Sequence, residues 1–279
     1  MAYESADAGA PLTGANPATI GVLRRPAFPE SRPIMSSLDD RVQGNLAAVI
    51  ERISRAAAAV SRDSAGLTLL AVSKTFGVVE VLAAARAGQR CFGENYVQEA
   101  VEKMAQAAAR WPGPPLQWHM IGPIQSNKTR AIAEHLDWVH SVDRLKIAQR
   151  LSEQRPDHRP PLQVLLQVNV SGEASKSGAA PEELPALALA VAALPRLRLR
   201  GLMAIPAPTD DVLLQRAAFA RLRTCLEQLR LQLPDLSLDT LSMGMSADLE
   251  SAIAEGSTLV RVGTAIFGAR SRAAATPAP

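Results

Sequence analysis

The run LTLLAVSKTF at 67–76 is apolar and β-leaning until it stops at Lys74. A lysine amine attacks carbonyl carbon once partial burial lowers its pKa, so a lysine at a strand end is a candidate Schiff-base nucleophile. A charge that leaves the strand end and solvates itself is the plain alternative. A second stretch, SMGMSADLE at 242–250, has the parts of an anion site. Gly244 lets backbone approach an anion closely, and Ser246 suits the cap of a helix starting at Ala247 while still offering a hydroxyl. Asp248 and Glu250 would complement the positive end of that helix. An ordinary serine-capped helix would account for this stretch standing alone. The following RVGT adds the guanidinium of Arg261, a permissive Gly263 and the hydroxyl of Thr264. Carbonyl chemistry beside a bound phosphate is what the two stretches suggest together.

Other polar residues are weaker signals. His119 sits on a short apolar run, where a satisfied core histidine is as reasonable as a functional one; His135 and His140 read as structural or surface groups. Ser126, Asn127 and Lys128 look like a helix start. Trp118 and Trp138 fall inside strand-like runs and read as packing, whereas Phe76 and Tyr96, just past strand ends, are better placed to face a ligand. No His-x-x-x-His, Glu-x-x-His or Cys-x-x-Cys spacing occurs, which argues against a metal site. Cys91 and Cys225 form no disulfide framework, so a reducing cytoplasm is the expected location.

The elements that must position these groups alternate along the chain. Strand-like runs occur at 67–73, 90–94, 117–121, 138–142, 162–170, 199–205, 238–243 and 259–267. Helix-like segments lie between them at 78–87, 96–110, 125–135, 143–153, 181–193, 211–231 and 246–255. Parallel strands joined by helices in this number most economically close into a (β/α)8 TIM barrel. An open doubly wound sheet is second, weakened because the first strand leads into SKTFG rather than a Gly-x-Gly-x-x-Gly turn. In a barrel the reactive groups sit at the C-terminal strand ends, and the phosphate site lies beyond strands seven and eight. Lys74, Ser246 and Arg261 all fall there.

Before the barrel, Val42, Leu46, Val49, Ile50, Ile53, Ala57 and Val60 follow helical spacing from Leu38 onward, with Ser37 and Asp40 as an N-cap and its partner. Residues 1–35 are rich in Ala, Pro and Gly and read as a disordered tail, and Met35 is a candidate translation start. The barrel is expected over 36–270 and a flexible tail over 271–279. The 279 residues are 47% hydrophobic, enough to bury the core of one large domain. Net charge is +3 with basic residues scattered among acidic ones, so no nucleic-acid patch stands out. No apolar stretch approaches the roughly 20 residues of a membrane span.

Taken in order, AVSKTF, FGENYVQE, WHMIGPIQSNK, VNVSGEASKSG, GLMAI and LSMGMSADLESAIAEGSTLVRVGTAIFG closely resemble the pyridoxal 5′-phosphate (PLP) homeostasis protein family, itself related to the barrel domain of alanine racemase. The likeness covers 38–268. It implies that Lys74 holds the cofactor as an internal aldimine and that Ser246, Gly263 and Thr264 bind its phosphate. Ser242 and Met243 would line the same mouth, Arg261 would face the pyridine nitrogen, Asn95 would lie beside the ring, and His119 and Met203 would contribute to the pocket.

A PLP enzyme that uses the ring as a full electron sink keeps an acid on that nitrogen, and a guanidinium disfavours the proton there. Alanine racemase works with the same arrangement by adding a tyrosine from a second domain of the partner subunit. Here only ARSRAAATPAP follows Gly268, so the resemblance is to the barrel without a C-terminal β domain. The expected function is a monomeric protein that binds PLP, acts in its intracellular homeostasis and passes it to apo PLP-dependent enzymes, with little or no catalysis. The alternatives are a PLP-dependent amino-acid racemase or lyase using Tyr96 or His119 as second base, and a PLP-free Schiff-base aldolase. Whether Lys128 takes up cofactor in a second mode is left open.

Overall fold

The computed structural model describes residues 35–173 and 177–269. Residues 1–34 of the tail expected over 1–35, the C-terminal residues 270–279 and Lys176 lie outside them, and Met35, counted in that tail, opens a helix. Eight short strands carry the fold: β1 Thr68–Val72, β2 Cys91–Glu94, β3 Gln117–Met120, β4 Trp138–Val142, β5 Leu162–Gln167, β6 Leu197–Met203, β7 Thr240–Ser242 and β8 Leu259–Val262. Every neighbouring pair is parallel, and β8 returns to β1 in the register Thr68↔Leu259 to Ala71↔Val262, so the sheet closes into a barrel in chain order. A parallel pair needs a crossover, and helices supply it: α2 Val78–Arg86, α3 Val97–Arg110, α4 Thr129–His135, α5 Leu145–Gln154, α6 Leu184–Ala192, α7 Val212–Gln232 and α8 Leu249–Ala254. The expected (β/α)8 architecture is the one observed.

Alternation along each strand sorts its side chains between two environments. Outward residues such as Ala71, Phe92, Trp118, Val139, Val164 and Val260 join the main core beneath the helices. Each such buried Val or Phe side chain contributes about 1.5–3 kcal/mol. Inside the barrel, two small apolar groups are separate from that core: Leu70, Ile121 and Leu259, and Trp138, Leu165 and Met203. Between them the barrel interior is polar.

Helix α1, Met35–Ala58, precedes the barrel and lies on its outside, contacting α2, α8 and the short helix α9, Thr264–Phe267. Val42, Leu46, Val49, Ile53 and Ala57 form its buried stripe. Ile50 and Val60, read from the sequence as part of that stripe, are exposed: Ile50 is one position off the seam, and Val60 lies beyond the helix end. The helix already spans Ser37, so the N-cap expected there is not one.

Two further boundaries differ from the sequence reading, and both matter at the site. The eighth strand ends at Val262 instead of running to 267, because the chain turns at Gly263 into α9. The helix expected from Ala247 begins at Leu249 with Asp248 as its cap residue, and Ser246 belongs to the loop before it.

Candidate functional site

Lys74 stands two residues beyond β1, in a turn whose geometry is held from both sides. The Ser73 hydroxyl donates to Glu94 Oε1 at 2.6 Å, and its carbonyl accepts from Lys103 Nζ at 2.8 Å. The Thr75 N–H donates to Glu99 Oε1 at 2.6 Å, and Thr75 itself has a positive φ of 67°. A β-branched residue in that region is strained, so the turn persists because its neighbours fix it. Lys103 completes the clamp by bonding Glu94 at 2.6 Å and Glu99 at 2.9 Å, with Lys103 and Glu94 both buried. Burial pushes the Glu94 carboxyl above its ordinary pKa, while the Lys103 ammonium pulls it back.

Across the mouth, the β7 end supplies the loop 243–247. Gly244 has φ 92°, and a Cβ there would stand 2.5 Å from that of Ala252, so the loop requires glycine. Asp248 Oδ1 accepts the Met245 N–H at 2.6 Å. From α1, Arg52 donates to the Ser246 carbonyl at 2.8 Å and forks onto both Glu250 oxygens at 2.6 Å. Gly263 lets the turn into α9 pass β1, since a Cβ would meet the Val72 carbonyl at 3.0 Å.

These segments enclose a cavity of about 310 Å³. Lys74, Asn95, Ser246, Arg261, Gly263 and Thr264 line it, as the sequence led us to expect, together with Val72, Phe76, Ile121, Ile205, Met245 and Ala247. Arg261 is 3% exposed and, among the described residues, has no carboxylate within ion-pair distance. Its Nη1 donates to Ser242 Oγ at 2.8 Å and its Nη2 to the Ala204 carbonyl at 3.0 Å. Desolvation lowers its pKa to about 10, so it stays charged at neutral pH. A buried cation with two neutral acceptors and five N–H groups keeps donor capacity for a ligand acceptor.

Residues 44–271 match the family described as alanine racemase, N-terminal domain. The pyridoxal phosphate homeostasis protein of Pseudomonas aeruginosa is 66% identical over 226 residues, covering 81% of this chain and 94% of that protein. The protein of the same name from Escherichia coli is 54% identical, covering 81% and 95%. The chain belongs to the pyridoxal phosphate homeostasis protein family. Among solved structures, PipY from Synechococcus elongatus with PLP bound is 38% identical at a TM-score of 0.71, covering 81% of this chain and 100% of that one. Alanine racemase from Corynebacterium glutamicum shares the fold, with a TM-score of 0.59 at 17% identity, over 84% of this chain and 60% of the racemase.

Four residues expected at the mouth of this family member lie elsewhere. His119 and Ser242 are fully buried inside the barrel, below the cavity, in a hydrogen-bonded row that ends on Arg261. Met203 packs with Trp138 and Leu165 in the barrel interior, and Met243 faces the opposite way, into the core beneath the helices. Strand alternation explains Met243, since it and Ser242 point to opposite faces, whereas His119, Ser242 and Met203 face inward but lie below the mouth. Of the two aromatics expected to face a ligand, Phe76 lines the cavity and is in ring contact with Phe267 at 5.1 Å, whereas Tyr96 is 58% exposed and outside the cavity. Lys128 sits in a 3₁₀ turn and does not line the cavity. His140, read from the sequence as structural or surface, is completely buried. Among the described residues, no group of three metal-ligating side chains occurs, and no helix is long and apolar enough to cross a membrane.

Proposed function

We propose that this chain binds PLP as a Schiff base on Lys74, serves intracellular PLP homeostasis by delivering the cofactor to apo PLP-dependent enzymes, and does so as a cytoplasmic monomer with little or no catalysis of its own. The observation that carries this reading is the convergence on one cavity of a lysine amine, the Ser246 and Thr264 hydroxyls and a buried guanidinium. Bound PLP supplies an aldehyde for an amine to capture, a phosphate dianion and an aromatic ring with a basic nitrogen. The chain has a counterpart for each. Lys74 offers the amine; Ser246, Thr264 and the Cβ-free Gly263 suit the phosphate; Arg261 suits the ring nitrogen; Phe76, Ile121 and Ile205 shield the ring from water.

Support for carriage over catalysis comes from what lines the cavity. Besides Lys74 and Arg261 its described lining contains no titratable side chain. His119 has both ring nitrogens engaged inside the barrel, and Tyr96 is exposed and does not line the cavity, so neither is placed as the second base of a racemase or lyase. The fixed charge of Arg261 also disfavours protonation of the ring nitrogen and weakens carbanion stabilisation. The relatives' shared name and the PLP-bound PipY structure support PLP binding and a place in its homeostasis.

Borohydride reduction of the PLP-loaded protein followed by peptide mapping tests the anchor. The phosphopyridoxyl label is expected on Lys74; a label confined to other lysines overturns the assignment. Carriage is tested by mixing loaded protein with an apoenzyme and following recovery of its activity, and absence of any transfer contradicts it. Exchange of an amino acid's α-proton in deuterated water, lost in Lys74→Ala, would instead establish the racemase or lyase reading.

A further inference from the structure

A continuous row of hydrogen bonds runs through the barrel interior from Arg261 toward the opposite opening. Arg261 Nη1 meets Ser242 Oγ at 2.8 Å, Ser242 Oγ meets His140 Nδ1 at 2.9 Å, and His140 Nε2 meets His119 Nδ1 at 2.9 Å. His119 Nε2 then meets Gln117 Oε1 at 3.0 Å. The five side chains come from four strands, β8, β7, β4 and β3. Apolar packing flanks the row: Leu70, Ile121 and Leu259 form one group, and Trp138, whose ring stacks on His119 at 5.4 Å, belongs to the other.

The direction of this row is fixed by chemistry. An amide oxygen only accepts, so His119 Nε2 carries the proton given to Gln117 Oε1. The bare Nδ1 of the neutral His119 then accepts from His140 Nε2–H, and the bare His140 Nδ1 accepts the Ser242 hydroxyl proton. A guanidinium only donates, so at the other end the Ser242 oxygen accepts from Arg261. Both imidazoles are buried, and burial holds each well below the ordinary histidine pKa, His119 at about 3, in keeping with neutral rings. Every donor points away from the cavity. At its far end the row reaches a hollow at the N-terminal ends of the strands, lined by Gln117 and His119 among others.

We propose that Ser242, His140 and His119 are positioning residues, a one-way hydrogen-bond chain that holds the Arg261 guanidinium at the angle from which it faces the ring nitrogen of the ligand. The inference rests on the PLP reading and deepens it. Among the described residues Arg261 has no carboxylate to hold it, so the fixed acceptor on Ser242, backed by two tautomerically locked imidazoles, sets where the charge sits. Reversing or breaking the chain at His140 leaves the Ser242 proton without its acceptor and frees the guanidinium to move.

Nitrogen-15 NMR of the histidines in wild type without PLP is the direct test, followed by PLP titration of His140→Phe, Ser242→Ala and His140→Gln monitored by visible absorption. His119 and His140 are expected as neutral Nε2–H tautomers. His140→Phe and Ser242→Ala are expected to bind PLP about tenfold more weakly, the order lost when a buried hydrogen-bond partner is removed, with a shifted visible band. His140→Gln keeps a donor and an acceptor and is expected to restore most of the loss. Tautomers of the opposite sense, or folded His140→Phe and Ser242→Ala with wild-type affinity and band, overturn the proposal. If His140→Phe does not fold, the wild-type tautomers and Ser242→Ala decide it. A wild type with the expected tautomers but no PLP band would instead overturn the cofactor reading and, with it, the task assigned to the chain.

Discussion

Lys74 sits where the physics of a barrel puts a reactive amine, yet much of its placement comes from residues that never touch the cavity. Lys103 bonds the Ser73 carbonyl, Glu94 and Glu99 at once, and Glu94 is fully buried. Lys103→Met leaves a buried carboxyl without its cation, so a loss of about 3–5 kcal/mol in urea-induced unfolding is expected. The interior histidines make a separate prediction about pH. Their folded-state pKa values lie below the unfolded value near 6.5, so between that pH and the folded values the unfolded chain binds protons that the native one does not. Stability should therefore be flat above pH 6.5 and fall on acidification, by up to about 1.4 kcal/mol per pH unit for each imidazole. Denaturation midpoints between pH 7 and 5 measure this, and in a folded His140→Phe the slope should be roughly halved. Lys74 and Arg261 were legible in the sequence because each breaks an apolar run at a strand end. His140 was not: all five residues of β4 are buried, so no polar alternation marks which of them faces the barrel interior.

At the scale of elements, the mouth is assembled by α1 as much as by the barrel strands. Arg52 ties α1 to the Ser246 carbonyl and to Glu250, and Asn45 Nδ2 donates to the Ile266 carbonyl at 2.9 Å, so one outer helix grips both candidate phosphate segments. Arg52 is partly exposed, and Arg52→Ala should cost stability only about 1 kcal/mol by denaturation. Its effect should appear instead as weaker PLP binding in the visible titration, because the loop carrying Ser246 loses its tether. Gly244→Ala combines a left-handed backbone with a Cβ 2.5 Å from that of Ala252, and a loss of about 2 kcal/mol or more is expected. Helix periodicity exposed α1 in the sequence, since five buried positions repeat at three and four. The start of α8 was misread because Ser246 and Asp248 are both good capping residues, and the bond from the Met245 N–H to Asp248 shows which one ends the loop.

For the whole molecule, the alternation of eight apolar runs with helical segments was sufficient to predict a closed parallel barrel, since few architectures absorb that pattern. The division of the barrel interior into two apolar groups and a polar row between them was not readable, because it depends on register between strands distant in sequence. The molecule has a closed sheet, a cavity at its C-terminal mouth and a charge-bearing row beneath it. The proposed function stands on covalent capture of PLP by Lys74. The most direct test is the visible absorption spectrum of purified wild type and Lys74→Ala, each with and without added PLP. A yellow Schiff-base band is expected in wild type and is expected to be absent, or to require far more PLP, in Lys74→Ala. Two proteins that both stay colourless with excess PLP, or that develop the same band at the same concentration, would contradict it.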